Sequence, residues 1–318
     1  MIMDFNYFSK EQIASVDILS GLEAYDCLIS AYAEAERVLG PAQKFPCKEL
    51  WWVTEACNVP EGVRCDRKFS MSEESDGGIF TALKENGYER LCIDITGFVV
   101  PHLFLLLRLL QIKGYHKVDC IYAEPNQYTD DEDTSFSSEP LEVKQVYGYS
   151  GTHVSDMSND LLVIAAGYDT MGIVQVAYSK RSAKKVLLLG FPPTSPIMFQ
   201  ENLLKAFMAE SAIGNDCFRN LDMNIFAPAV DPFATAQAIN EFIGRKRKEP
   251  FTNVYFSPLS SKPQALGLAL YYLWQEGWKK EWSVIYPFCR NYMNDTAKEI
   301  SKIWLYKVEL PIYATSQL

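Results

Sequence analysis

Apolar positions along the chain fall into two recurring patterns. Short unbroken runs, RLCIDIT, KVDCIYAE, DLLVIAAG, KKVLLLGF, TNVYFSP and WSVIYPF, read as strands covered on both faces. Between them lie stretches with helical spacing: IFTALKEN, Pro101 to Leu110, MGIVQVAYS, Phe199 to Ala212, ATAQAINEFIGRKRK and KPQALGLALYYLWQEG. This alternation predicts an α/β fold, a mostly parallel Rossmann-like sheet covered by helices. Upstream, Ile13, Val16, Leu19, Leu22, Leu28, Ala31, Ala35 and Leu39 are spaced to predict an N-terminal helical element over 10–39, which Gly21 could divide. KELWWVTEAC reads as a strand, and NVPEGVRCDRKFSMSEESDGG as a polar connection, either a surface excursion or a lid. The tail IWLYKVELPIY has the residue types of a final strand, suited to an antiparallel sheet edge.

The expected organisation is an N-terminal helical and loop element, 1–78, packed on a Rossmann-like core, 79–318. A polar insertion at 125–160 holds TDDEDT and a hairpin around VKQVYGYSGTHV. One continuous sheet is preferred over two portions meeting near residue 150. Gly267, inside a helix, is explained by close packing against a neighbouring element.

In open α/β sheets ligands bind beyond the carboxyl ends of the strands, so candidate chemistry should sit where strands end. That rule selects Asp94 and Thr96 from CIDITG, Glu124 from CIYAEP, Tyr168 and Asp169 from AAGYD, Gly190 from LLGFPP, and Ser257, Ser260, Ser261 and Lys262 from YFSPLSSK. SPLSSKP joins a strand to a helix and places hydroxyls, free N–H groups and a lysine near a helix N-terminus, where an anion or phosphate is favoured. The plainer reading is a serine-capped helix. Asp94 and Glu124, one βα unit apart, are candidates for binding a divalent ion, for orienting ribose hydroxyls, for shared acid and base work or for capping the next helix. Residues 252–276, centred on Ser260, Ser261 and Lys262, resemble part of the nucleotide-sensing Rossmann-like domains associated with prokaryotic defence systems. That resemblance implies a strand, a serine-containing turn ending in lysine and a helix forming part of a ligand pocket.

Other signatures are missing. LLGFPPTSP lacks the GxGxxG of dinucleotide folds, SPLSSK lacks the phosphate-loop spacing GxxxxGK[ST], and His102, His116 and His153 form no metal-binding pattern. No metal is expected, and no cofactor is specified. Ser150 and Ser155 flank His153 without a nucleophile elbow. The chain carries 30 Lys and Arg against 40 Asp and Glu, a net charge of -10, so broad nucleic-acid binding is disfavoured while a local positive pocket at Lys262 is not. GRKRKEP, the one dense basic run, suits a helix C-terminus. Eight cysteines without close pairs, an N-terminus without a signal pattern and no long apolar span together predict a cytoplasmic protein that avoids the membrane.

The functional expectation is binding or sensing of a small phosphorylated or nucleotide-like ligand at the strand ends. The alternatives are a nucleotide-processing hydrolase or transferase, and a protein-assembly component of a defence system with a protein partner or a second copy.

Overall fold

The computed structural model describes residues 4–54, 59–72, 75–128, 140–245, 250–275, 280–289 and 297–312. TDDEDT and the centre of GRKRKEP at 246–249 lie outside the described residues. The chain divides into two compact units: Tyr7–Glu132 with Asn294–Leu318, and Met1–Asn6 with Asp133–Met293. Each has its own sheet, so the continuous sheet expected above becomes two largely parallel sheets covered by helices. Residue 78 falls inside the first of these units.

In chain order the first unit contains β1 (Ser9–Ile13), a 3-10 turn (Val16–Gly21), β2 (Tyr25–Ala31), α1 (Glu36–Lys44), β3 (Cys47–Thr54), β4 (Arg67–Ser70), α2 (Ile79–Asn86), β5 (Leu91–Asp94), α3 (Val100–Ile112) and β6 (Lys117–Tyr128). The second contains β7 (Pro140–Gln145), β8 (Leu161–Ala165), α4 (Thr170–Ser179), β9 (Lys184–Gly190), α5 (Pro196–Met208), the single turns α6 (Glu210–Ile213) and α7 (Asp216–Arg219), β10 (Asn224–Ala227), α8 (Pro232–Arg245), β11 (Val254–Pro258), α9 (Lys262–Gln275) and β12 (Trp282–Cys289). The last strand, β13 (Ala297–Glu309), belongs to the first unit.

The first sheet has the order β1-β13-β6-β5-β2-β3-β4, and the second β10-β9-β8-β11-β12-β7. Strands β2 to β6 run parallel to their neighbours among themselves, as do β8 to β12. Numbered within its own parallel block, each sheet has the order third, second, first, fourth, fifth. The direction of connection therefore reverses between β2 and β5 in one unit and between β8 and β11 in the other, and those are the places where a crevice forms. An antiparallel strand completes each block on the same side: β13 beside β6, and β7 beside β12.

Three expected elements differ. The stretch 10–39 is not one helix but β1, a 3-10 turn, β2 and the start of α1. A strand buried on both faces has no polar alternation, so YDCLISA, buried along nearly its whole length, could be fitted to a helical period as well as to a strand. The expected hairpin near residue 145 is instead β7 paired with β12, more than a hundred residues downstream. The tail strand is antiparallel as expected, but β1 pairs with its outer side, so β1 and not β13 forms the edge.

Burial explains the helix placement. In the second unit Ile173, Val176 and Ala177 of α4 and Ala206 of α5 pack on Leu162, Ile164, Leu187 and Tyr255, covering one sheet face. In the first unit Val38 and Ala42 of α1 pack on Leu28, Cys92, Ile121, Ala123, Ile303 and Leu305. Gly267 has the packing role expected: a Cβ there would lie 2.2 Å from the carbonyl oxygen of Pro232, which opens α8. Among the described residues no helix is long and apolar enough to cross a membrane.

Candidate functional site

The first crevice, between β2 and β5, is filled by the unit's own side chains. Asp94 ends β5 fully buried; it accepts a hydrogen bond from Ser30 Oγ at 3.0 Å and another from the Thr96 backbone N–H at 3.0 Å. Past the end of β5, the edge of β6 has no strand beside it. Thr96 Oγ1 accepts the Ala123 N–H at 3.0 Å, and Arg37, from the first turn of α1, donates Nε and a terminal nitrogen to the Ala123 carbonyl. The guanidinium also lies 5.7 Å from the centre of the Tyr122 ring. Gly97 lets this loop close on β2, since a Cβ would meet the Ala31 carbonyl oxygen at 2.5 Å. Burial pushes the Asp94 carboxyl up to about 6, against the pull of its hydrogen bonds and of Arg37.

Glu124 does not join Asp94. Asp94 stands opposite Ile121 in the β5–β6 ladder, and strand side chains alternate between faces. Ile121 and Ala123 share the α1 face with Asp94, so Glu124, one residue beyond Ala123, belongs to the opposite face. There it is buried, accepts the Trp304 indole N–H at 2.6 Å and sits 3.7 Å from Lys302 Nζ. The two carboxylates expected to work together occupy different environments.

The second crevice, between β8 and β11, is built differently. Gly167 brings the two loops together: a Cβ would lie 1.9 Å from the Leu259 carbonyl oxygen and 3.2 Å from Ser260 Cα. The Leu259 N–H donates to the Ala165 carbonyl at 3.0 Å, tying the strand ends. Ser261 Oγ donates to the Ala229 carbonyl and accepts the Gln264 N–H at 3.3 Å, so it caps α9 as the plainer reading held. Asp169 caps α4 by accepting the Gly172 N–H at 2.9 Å. Tyr168 donates its phenol to the Met198 carbonyl at 3.2 Å. Gly190, buried at the end of β9, lies against Ala229 and Gln264 rather than at the opening. Lys262 is the first residue of α9 and is half-buried.

Six buried side-chain polar atoms lack a hydrogen-bond partner among the described residues, and three of them belong here: Asn202 Oδ1, Ser257 Oγ and Ser260 Oγ. All three are tied to one strand end. Ser257 pairs with Ile164 in the ladder, Asn202 Nδ2 donates to the Ala166 carbonyl at 2.9 Å, and Ser260 abuts Gly167. Ser257 is fully buried, whereas Tyr168, Asn202, Ser260 and Lys262 are half-buried. Buried polar groups are nearly always paired, by protein or by water, so these three atoms are open to a partner other than the described side chains. None of the six atoms belongs to Ser30, Asp94 or Thr96.

No family model and no curated protein matches the chain. Among solved structures it is similar to one described as CobK precorrin-6A reductase, at 11% identity over 84% of this chain and 91% of that chain. The TM-score is 0.22, at which the likeness carries no argument.

Two further groupings are structural. His153 pairs not with its sequence neighbours but with Ser283 Oγ and Gln145 Nε2, each 2.9 Å from its Nε2, and Ser283 is fully buried. A pocket of about 230 Å³ at the amino end of β6 is lined by Tyr7, Ser9, Lys117, Asp119, Lys307 and Glu309. Its inner charges are already engaged, Lys307 with Glu11 at 2.6 Å and Asp119 with the Tyr25 phenol at 2.6 Å. Among the described residues no three His, Cys, Asp or Glu side chains gather as metal ligands.

Ser257, Ser260 and Lys262 are candidates from the sequence, whereas Asn202 and Arg37 emerge only from the structure. Both leave a signal. Asn202 stands between Met198 and Ala206 at helical spacing on α5, and Arg37 places a positive charge in a first helical turn, where the helix dipole disfavours it.

Proposed function

We propose that this chain binds a small phosphorylated or nucleotide-like ligand at the carboxyl ends of β8 and β11. The observation carrying this reading is the cluster of unpaired Asn202, Ser257 and Ser260 atoms at the reversal of strand order. The α9 N-terminus offers a favourable dipole for an anion, Lys262 supplies charge, and Tyr168 and Asp169 border the site. Ser261 and Gly190 shape the crevice. Binding comes before catalysis in this reading, because Asp94 and Glu124 face apart. Thr96 serves the other crevice, where it bonds Asp94 and Ala123. With seven described cysteines unbridged, a reducing, cytoplasmic setting fits the proposal.

Calorimetric titration with ribose 5-phosphate and adenosine monophosphate tests the reading. Saturable binding is expected, weakened roughly tenfold by Lys262→Ala, which removes a charge-assisted contact. Absence of binding by every phosphorylated probe would overturn it.

A second reading, a protein partner, is favoured by the outer face of α5. Leu204, Phe207 and Met208 are 59%, 50% and 63% exposed there, with Leu203 beside them, an apolar surface of the kind that interfaces cover.

A further inference from the structure

Among the described residues each sheet has two edge strands, and an edge offers unpaired backbone N–H and C=O groups to any strand that meets it. Three of the four carry residues that discourage pairing: Lys10 and Glu11 in β1, Arg67 and Lys68 in β4, and Pro140, Glu142 and Lys144 in β7. The fourth, β10, reads NIFA, with no charge, no proline and an unshifted ladder to β9. The Ala227 carbonyl accepts the Phe191 N–H at 2.8 Å, so Ile225 and Ala227 turn their backbone groups to β9, and Asn224 and Phe226 turn theirs outward. The Asn224 N–H is taken by the Leu221 carbonyl, which leaves Phe226 as the residue with both groups facing out. Its side chain is 43% exposed. Phe226 stands opposite Leu189 in the ladder, so its ring lies on the sheet face that α5 covers.

Apolar surface continues at both ends of this strand. Leu221, in the 3-10 turn Leu221–Met223 before it, is 78% exposed. Phe191, bonded to its last residue, is exposed and rests on Phe199 of α5 with ring centres 5.2 Å apart. The outer side chains of α5 flank the same edge, since Phe207 packs edge-on against Phe218 of α7, which leads into β10.

We infer that β10 is the contact strand of a homodimer, pairing antiparallel with β10 of a second copy so that Phe226 stands opposite its equivalent. Opposed residues of an antiparallel pair exchange both backbone bonds, so the two outward groups of each Phe226 satisfy those of the other. The rings then form a cross-strand aromatic pair. The same two-fold relation brings the Leu221 end of one strand to the Phe191 end of the other, and exposed apolar side chains meet at both ends. An unrelated peptide could occupy the edge without matching those ends, whereas this surface is complementary to itself, as an isologous interface must be. The inference rests on the protein-partner reading above and names a second copy as the partner that covers the flank of α5.

Sedimentation of the full chain between about 1 and 100 µM tests it, with a rise from 36.1 kDa toward twice that mass expected as concentration increases. Phe226→Lys, which sets a charge on the edge as β1 and β4 do, should weaken association roughly tenfold or more. In the unaltered chain the Phe226 amide should exchange its hydrogen roughly tenfold more slowly at the high concentration than at the low one. A monomer throughout that range would overturn the inference, and so would a Phe226 amide whose exchange ignores concentration. A dimer weakened by Leu204→Lys but not by Phe226→Lys would overturn the strand pairing and leave the α5 interface standing; a dimer weakened by neither would overturn both. The exchange measurement needs no variant, so it decides the question even if Phe226→Lys does not fold.

Discussion

Ser30 and Ser257 occupy comparable places and differ in one respect. Each is the penultimate residue of a strand bordering the reversal of order in its sheet, and each is fully buried. Ser30 donates to Asp94, within a set of bonds joining Thr96, Ala123 and Arg37. Among the described residues Ser257 Oγ has no partner, and Ser260 and Asn202 each keep one atom unpaired. The same strand order therefore creates a crevice in both units, but in one the chain's own polar groups complete each other. In the other, three side-chain atoms have no partner among the described residues. Fold supplies the location, and hydrogen-bond accounting tells a self-satisfied strand end from one whose polar atoms stay unpaired.

The strongest way to break this comparison is through the glycines that let the loops meet. Gly167→Ala forces a Cβ to within 1.9 Å of backbone, and Gly97→Ala to within 2.5 Å. Urea unfolding should show losses of about 3 kcal/mol or more for Gly167→Ala and a smaller loss for Gly97→Ala. A wild-type midpoint for Gly167→Ala would mean the β8 and β11 loops are not in contact.

Next comes Asp94. Its folded pKa of about 6 lies above the ordinary value, so the folded state holds the proton more tightly than the unfolded chain. Its contribution to stability is full below about pH 4 and is lost as pH rises through 6. Asp94→Asn keeps an oxygen for the Thr96 N–H and an amide for Ser30 Oγ, and it does not ionise. Thermal unfolding should therefore show the wild type falling behind Asp94→Asn between pH 4 and 6.5, by on the order of 2 to 3 kcal/mol. A constant difference across that range would place the carboxyl in a wetter setting.

The serines give the smallest and sharpest contrast. Ser30→Ala removes a donor from a buried carboxylate and should cost about 1 to 2 kcal/mol. Ser257→Ala removes a hydroxyl that bonds nothing, so the free protein should lose less than about 0.5 kcal/mol or gain stability. Similar losses in both would erase the distinction between the crevices.

Much of the architecture was legible because parallel strands buried on both faces announce themselves as apolar runs. DLLVIAAG, KKVLLLGF and TNVYFSP became β8, β9 and β11, and their ends became the candidate positions. The division into two sheets was not legible, since an apolar run shows that a strand is covered but not which strand lies beside it. The same ambiguity hid β2 in a helical period. Ser257 and Ser260 could be placed at a strand end, but that their hydroxyls lack partners depends on neighbours from α5 and β8. Ser261, equally polar in sequence, proved fully engaged by Ala229 and Gln264.

The most direct measurement is a crystal structure grown with ribose 5-phosphate. The expected result is the phosphate beside Lys262 at the start of α9, with polar contacts to Asn202, Ser257 or Ser260. Ligand density beside Arg37 and Asp94 in the β2–β5 crevice, or an ordered water satisfying Asn202 and Ser257 with no ligand bound, would contradict it.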